Sequence, residues 1–285
     1  MDRIQEAGVA GVEPVKTGSW WRVLLTGLLF YFASLVALLL TLNPNLFPTV
    51  VMVGSFMIPV TYVAFFYDRR HLSRLTVPYI AQCFIYGGLI GVLAASLLEP
   101  LFIRRLDFGT AFVVGLIEEF AKILGILIIA RRLRHDSEMD GLLLGVAAGM
   151  GFAAFESCGY AFSSFLRSGG SLTLTVFVTL FRGVLSPVGH GTWTAILASV
   201  LYRESRAGHF RFNLKVLGAY LTVSILHGLW DGLPGAITML FGPGLDVLAG
   251  EAVVGITGLI LLWRRWREAK RLQMESLATT DLAGP

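Results

Sequence analysis

The chain has 285 residues, of which 55% are hydrophobic and only 15% are charged, and its mean hydropathy is +0.71. Soluble domains are typically about 45–50% apolar and about 25% charged, so this composition excludes an ordinary soluble enzyme and indicates an integral membrane protein. The 23 Lys and Arg against 19 Asp and Glu do not indicate nucleic-acid binding, because the basic residues lie at the edges of apolar segments, as in membrane proteins.

Eight apolar segments are long enough to cross a bilayer, which takes about 20 mostly apolar residues as a helix. The first is too long for a cleavable signal peptide, and no small-residue cleavage site follows it. We therefore predict an all-α, polytopic transmembrane bundle of about eight spans. In chain order the segments are Trp20–Leu42, Pro48–Tyr67, Val77–Leu98, Thr110–Ala130, Gly141–Phe165, Leu172–Tyr202, Leu214–Asp231 and Gly244–Trp263.

The sixth segment is too long for one straight span, and Arg182 and Pro187 interrupt it. A charged side chain and a proline both disfavour a continuous apolar helix. We therefore expect a shallow piece near Leu172–Phe181, followed by the true span from about Gly183.

The distribution of basic residues predicts the orientation. With the N-terminus inside and eight spans, eighteen Lys and Arg fall in inside regions and three in outside loops. The positive-inside rule then favours an N-in, C-in protein, which we expect in a bacterial-type cytoplasmic membrane. The predicted divisions are a cytoplasmic segment 1–18, three structural helices in 19–108, a catalytic transmembrane core in 109–264 and a cytoplasmic tail 265–285.

Charged residues inside spans are few and usually functional, because each costs at least about 2.5–3.5 kcal/mol to insert. The fourth segment carries Glu118, Glu119 and Lys122. Glu118 and Lys122 are four residues apart and are predicted to pair on one helix face, while Glu119 points about 100° away. A carboxylate in such surroundings is a candidate general base, although a purely structural Glu–Lys pair is the plainer interpretation.

The next three segments each add polar groups. The fifth has Glu156 above a stripe of glycines at 141, 145 and 149, which predicts close helix packing. The sixth has His190 between two glycines, and the seventh has His227 four residues before Asp231, which could orient the imidazole. Counting residues from the predicted outer ends places all these groups in the outer half of the membrane, where they could share one pocket.

Cys83 and Cys158 lie inside apolar segments and form no metal or redox motif, so we expect them to be packing residues without a disulfide.

The polar residues carry a resemblance to the PrsW family of membrane proteases. The family pattern E-E-x-x-K matches Glu118-Glu119-Phe-Ala-Lys122, and F-x-x-x-E matches Phe152-Ala-Ala-Phe-Glu156. The later histidine motifs match His190 and His227-Gly-Leu-Trp-Asp231. The resemblance covers about residues 110–235. Distantly related CAAX prenyl proteases and bacteriocin-processing proteases typically have E-E-x-x-x-R and F-x-x-x-H instead, so Lys122 and Glu156 favour PrsW.

The resemblance implies an intramembrane endopeptidase that cuts a membrane-tethered protein near its extracytoplasmic side, as in the first cleavage of an anti-sigma factor. A proton-coupled transporter, or a non-catalytic membrane scaffold, would also bury ionisable residues and stays an alternative. The expected partners are a tethered protein substrate and the lipid bilayer, with no nucleic acid.

Two mechanisms stay open at this point. In one, Glu118 or Glu119 activates water without a metal, and the histidines stabilise the oxyanion. In the other, Zn²⁺ binds His190 and His227 with Glu119 and Glu156 as candidate ligands, which is an acceptable catalytic zinc set. In both, Lys122 sets the charge state of the glutamates. The predicted catalytic residues are Glu118, Glu119, Lys122, Glu156, His190, His227 and Asp231.

Overall fold

A computed structural model describes residues 18–70, 73, 75–131, 137–205, 209–241 and 246–282, and among these residues it contains helices and no β-strand. This agrees with the predicted all-α bundle. The helices are α1 (Trp20–Thr41), α2 (Phe47–Tyr67), α3 (Val77–Gln82), α4 (Gly88–Phe102), α5 (Phe108–Ala130), α6 (Glu138–Arg167), α7 (Leu172–Leu185), α8 (His190–Glu204), α9 (Leu214–Phe241) and α10 (Asp246–Leu282). A π-helical turn, Cys83–Gly87, joins α3 to α4.

Within the described residues, six helical segments are long and apolar enough to cross a membrane. α5 is not among them, because Glu118, Glu119 and Lys122 lie in its middle, and neither is α10. The predicted number of spans and their orientation therefore stay predictions. The six segments are Trp20–Thr41, Pro44–Tyr67, Val77–Phe102, Glu138–Arg167, Leu172–Glu204 and Leu214–Met239.

The sixth apolar segment is divided, as expected, but at a different place. A 3-10 turn, Ser186–Val188, and Gly189 separate α7 from α8, so the second helix begins at His190 rather than at about Gly183. Arg182 does not end α7, because its guanidinium pairs with Glu156 inside the protein. The break is caused by Pro187, which has no backbone N–H to donate, together with Gly189.

The glycine stripe of α6 packs closely against another helix, as predicted, and the structure shows that this helix is α8. A Cβ at Gly145 would lie 2.6 Å from the Thr194 carbonyl oxygen and 2.6 Å from the Ala195 Cα. Gly141 and Gly149 face Ala198 and His190 in the same way. Only glycine allows this approach, which brings α6 and the first turn of α8 into backbone contact.

α6 lies at the centre of the bundle and α1 at its edge. In the most apolar part of α6, 83% of the residues are buried, whereas only 11% are buried in the corresponding part of α1, which is the more hydrophobic helix. The first helix therefore presents most of its surface to lipid, while the helix that carries Glu156 is enclosed by protein.

Both cysteines are free, in agreement with the sequence: Cys83 is buried and its thiol donates to the Leu144 carbonyl at 3.4 Å. The predicted tail from residue 265 continues α10 as helix to Leu282. Residues 1–17 of the predicted N-terminal segment and 283–285 of the tail lie outside the described residues. The division of the chain into structural and catalytic parts stays a prediction.

Candidate active site

Four helices bring their polar residues to one place. Glu118, Glu119 and Lys122 come from α5, and Glu156 from α6, while His190 is the first residue of α8 and His227 lies in the middle of α9. The imidazole centroids of His190 and His227 are 5.1 Å apart. The close packing of α5 on α9, where a Cβ at Gly228 would meet Phe112, sets the distance between Glu118 and His227.

Lys122 is the cation at the centre of this group. Its side chain has no exposed surface, and its Nζ lies 3.1 Å from Glu118 Oε2 and 2.8 Å from Glu119 Oε1. Nζ also lies 2.8 Å from His190 Nδ1 and 4.2 Å from the centroid of the Phe152 ring. The predicted Glu118–Lys122 pair is present, and the flexible lysine reaches the second glutamate as well.

His227 is held mainly by Glu119. Its Nδ1 lies 3.0 Å from Glu119 Oε1, while its Nε2 lies 3.5 Å from Glu118 Oε2 and 3.5 Å from Asp231 Oδ2. Thr194 donates its hydroxyl to the other Glu119 oxygen at 3.3 Å. Asp231 was expected to orient this imidazole, but the shorter contact belongs to Glu119, and Asp231 lies beside the nitrogen that faces Glu118.

His190 is held by Glu156. Its Nε2 lies 3.2 Å from Glu156 Oε2, and its Nδ1 faces Lys122 and, at 3.8 Å, Glu118 Oε2. The same Glu156 oxygen accepts a hydrogen bond of 2.6 Å from Arg182 Nη2. Glu156 therefore pairs with His190 and with Arg182, an arginine whose place in the sequence indicated only an interruption of the sixth segment.

The two histidines are held in the same way. In each case one carboxylate oxygen contacts both a cation and one nitrogen of the imidazole, here called the outer nitrogen (His227 Nδ1 and His190 Nε2). The two sets are Lys122–Glu119–His227 and Arg182–Glu156–His190. The inner nitrogens, His227 Nε2 and His190 Nδ1, both face Glu118. Glu118 is thus the carboxylate at which the two arrangements meet.

A cavity of about 430 Å³ opens beside Glu118. Its wall includes Glu118, Glu156, His190, His227, Asp231 and Arg182, but not Glu119 or Lys122, which lie behind it. Two further carboxylates, Glu99 of α4 and Glu251 of α10, also line the cavity. Sequence reasoning missed both: Glu99 follows immediately after the predicted third segment, and Glu251 stands alone in the eighth. Each was nevertheless a charge within or beside an apolar segment, which is the signal that found the other residues.

Glu118, His190 and His227 fit the requirements of a metal site. Each offers one ligand atom, and these atoms lie within 4.8 Å of one another. Two imidazoles and one glutamate form the ligand set of several catalytic zinc centres, whose histidines give their other nitrogen to a carboxylate. Glu119 and Glu156, the candidate ligands that the sequence offers, each contact the other nitrogen of one of these imidazoles. Because Lys122 Nζ touches His190 Nδ1, the amine must shift if this nitrogen is to bind a cation.

Comparison with known proteins gives two matches. Residues 76–263, more than half of the chain, match the family model described as "PrsW family intramembrane metalloprotease". The chain is also 24% identical over 177 residues to "Protease PrsW" of Halalkalibacterium halodurans, an alignment that covers 60% of this chain and 77% of the relative. No solved structure is significantly similar. Neither match bears on the expected distant relationship to the CAAX prenyl proteases.

Proposed function

The chain belongs to the PrsW family of intramembrane proteases and is a peptidase; on that premise we propose that it is an endopeptidase whose active centre is Glu118 with His190 and His227. One observation carries the proposal: the inner nitrogens of both imidazoles and the Glu118 carboxylate face one another on the wall of a single cavity. Family membership favours a peptidase over a transporter or a scaffold, both of which would also bury ionisable groups.

Peptide hydrolysis needs a base for water, a donor for the oxyanion and a proton for the leaving amine. Glu118 is better placed than Glu119 to act on water, because Glu118 lines the cavity and Glu119 is enclosed by Lys122, His227 and Thr194. The base would take a proton from the attacking water and return it to the amine nitrogen. Without a metal, His227 in its doubly protonated form would donate its Nε2–H to the carbonyl oxygen as the negative charge on that oxygen develops, while its Nδ1 stays on Glu119.

A metal would change the role of Glu118 without changing the site. Glu118, His190 and His227 would hold it, and when bound it would polarise the carbonyl and make water a stronger acid. Asp231 is then a carboxylate on the cavity wall that could accept the proton from water. Glu119 and Glu156 would keep the histidines oriented in both mechanisms.

The cavity wall also favours a substrate that approaches from the extracytoplasmic side. It includes Ile103 and Leu106 of the connection between α4 and α5. The distribution of Lys and Arg predicts that this connection lies outside the cell. A single-span protein with an extracytoplasmic part could reach the cavity there, which supports a first, site-1-type cleavage such as that of an anti-sigma factor.

The proposal is tested by mapping new protein N-termini in membranes of cells that produce the wild type, Glu118→Gln or His227→Ala. The matched control is Glu275→Gln, which makes the same chemical change at a side chain that is 60% exposed. We expect new N-termini in single-span membrane proteins, close to the outer end of the span, with the wild type and the control only.

A protein found in this way is then reconstituted with the purified enzyme in lipid vesicles. Cleavage by the wild type and the control, and none by the two site variants, supports the proposal. Unchanged cleavage by both Glu118→Gln and His227→Ala contradicts it. Proton-driven solute uptake that both substitutions abolish would support a transporter instead.

A further inference from the structure

We propose that Arg182 is a positioning residue for the reaction: it holds Glu156 so that His190 presents its Nδ1 to Glu118. The inference deepens the proposed function and rests on it. Arg182 lies on α7, outside the four helices that supply the other site residues. No pattern in the sequence had assigned it a role in the chemistry.

The first step of the argument is the geometry of the arginine. Its Nη2 donates to Glu156 Oε2 at 2.6 Å, its Nε donates to Ser157 Oγ at 3.3 Å, and its Cζ lies 3.9 Å from the centroid of the Tyr160 ring. Three contacts, two on one turn of α6 and the third on the next turn, fix a planar guanidinium more firmly than one contact could. Lysine, with a point charge on a flexible chain, could not make all three.

The second step is what the arginine does to Glu156. A carboxylate within a membrane protein is costly unless a cation balances it, and the Glu156 side chain is only 18% exposed. Arg182 supplies this cation at the shortest ion-pair contact that Glu156 makes. The pair leaves Glu156 Oε2 as a charged acceptor 3.2 Å from His190 Nε2.

The third step is the histidine. A carboxylate on Nε2 favours the tautomer that carries its proton there and leaves Nδ1 free as an acceptor or ligand. Nδ1 is the His190 nitrogen that faces Lys122 and Glu118. Without Arg182, the Glu156 carboxylate and the His190 ring would lose this fixed arrangement, so the arginine acts on His190 through Glu156.

The parallel with the other histidine supports this assignment. Glu119 Oε1 is shared by Lys122 and His227, as Glu156 Oε2 is shared by Arg182 and His190. The protein therefore uses one cation for each carboxylate that orients a histidine. Lys122 reaches Glu118 as well, whereas Arg182 is the cation of the second arrangement alone.

The test compares Arg182→Gln, Arg182→Lys, Glu156→Gln and the double variant Arg182→Gln/Glu156→Gln, with Arg167→Gln as control at the exposed end of α6. In the reconstituted cleavage assay we expect Arg182→Gln to lower kcat on the order of 10- to 100-fold, as for other groups that orient histidine ligands, with KM close to the wild-type value. Arg182→Lys should regain part of the loss. The double variant should be no slower than Glu156→Gln, because both changes break the same arrangement.

A second measurement does not depend on turnover. In protein labelled with ¹⁵N at histidine, with His190 assigned by comparison with His190→Ala, we expect an Nε2–H tautomer in the wild type and in Arg167→Gln. Arg182→Gln should shift the His190 signals toward a mixture. If the wild type cleaves nothing, the proposed function fails, and these signals still test the arginine.

The inference is overturned if Arg182→Gln has the wild-type kcat and unchanged His190 signals. It is also overturned if the losses of kcat in Arg182→Gln and Glu156→Gln add up in the double variant. Such additivity would show that Arg182 has a structural role in α7 that is independent of Glu156.

Discussion

Replacing Lys122 by methionine removes the amine that touches Glu118, Glu119 and His190, and keeps almost the same side-chain length and volume. Both glutamates are buried, with side-chain exposures of 6% and 0%, and their contacts with Nζ are 3.1 and 2.8 Å. Removing one partner of a buried ion pair typically costs about 3–5 kcal/mol, because the remaining charge keeps its desolvation penalty. We therefore expect Lys122→Met to lower the free energy of unfolding by about that amount and to abolish cleavage.

The loss in the free energy of unfolding can be measured in mixed micelles by titration with a denaturing detergent, with Lys215→Met as the matched control. Lys215 is 67% exposed and lies 3.3 Å from Glu204, so this surface pair should contribute no more than about 1 kcal/mol. The double variant Lys122→Met/Glu119→Gln should recover stability but not activity, because one unpaired charge is removed. If Lys122→Met is as stable as the control, or if the double variant shows only the sum of the single effects, the assigned role of the amine is wrong.

Three further predictions concern packing, pH and metal. Gly145→Ala should lower stability by about 1–3 kcal/mol, since its Cβ would lie 2.6 Å from backbone atoms of α8, whereas Gly159→Ala, with nothing within 4 Å, should be neutral or slightly stabilising in the same unfolding assay. Burial raises the pKa of Asp68, but hydrogen bonds from Ser19 and Trp20 outweigh it and hold the pKa below its ordinary value. The stability that Asp68 adds over Asp68→Asn should therefore be full at neutral pH and shrink as the pH falls below about 4, which unfolding curves at several pH values would show. Elemental analysis should find stoichiometric zinc in the purified wild type and none in His227→Ala. Removing zinc from the wild type should remove the activity, and adding zinc back should restore it; full activity in metal-free protein would exclude the metal mechanism.

The sequence predicts the helical class, and the polar residues that it singles out on four segments lie together in the structure, but the sequence does not predict which of them contact each other. The spacing of Glu118 and Lys122 predicts their pair because neighbours on one helix face depend only on helix geometry. The contact between Glu119 and His227 joins residues 108 positions apart. No local pattern can say which of two adjacent glutamates faces the next helix.

The same limit explains the position of the helix break. Arg182 looks like the end of an apolar helix when it is considered alone, because an unpaired charge is costly in lipid. Its partner Glu156 lies on another helix, and with that partner α7 continues to Leu185. Glu99 was missed for a related reason: α4 runs past Pro100 to Phe102 and carries the carboxylate to the cavity wall, beyond the segment defined by hydropathy.

The central position of α6 has a consequence for how the protein enters its membrane. This helix is less hydrophobic than α1, carries Glu138, Asp140 and Glu156, and owes its stability to neighbours that enclose it rather than to lipid. A nascent α6 alone would meet lipid with those charges and with a column of glycines whose backbone is made for contact with α8. We therefore expect biosynthetic insertion to be cooperative, with α6 retained beside the translocation machinery until α8 has been made, so that Glu156 meets His190 as α6 becomes stable in the bilayer.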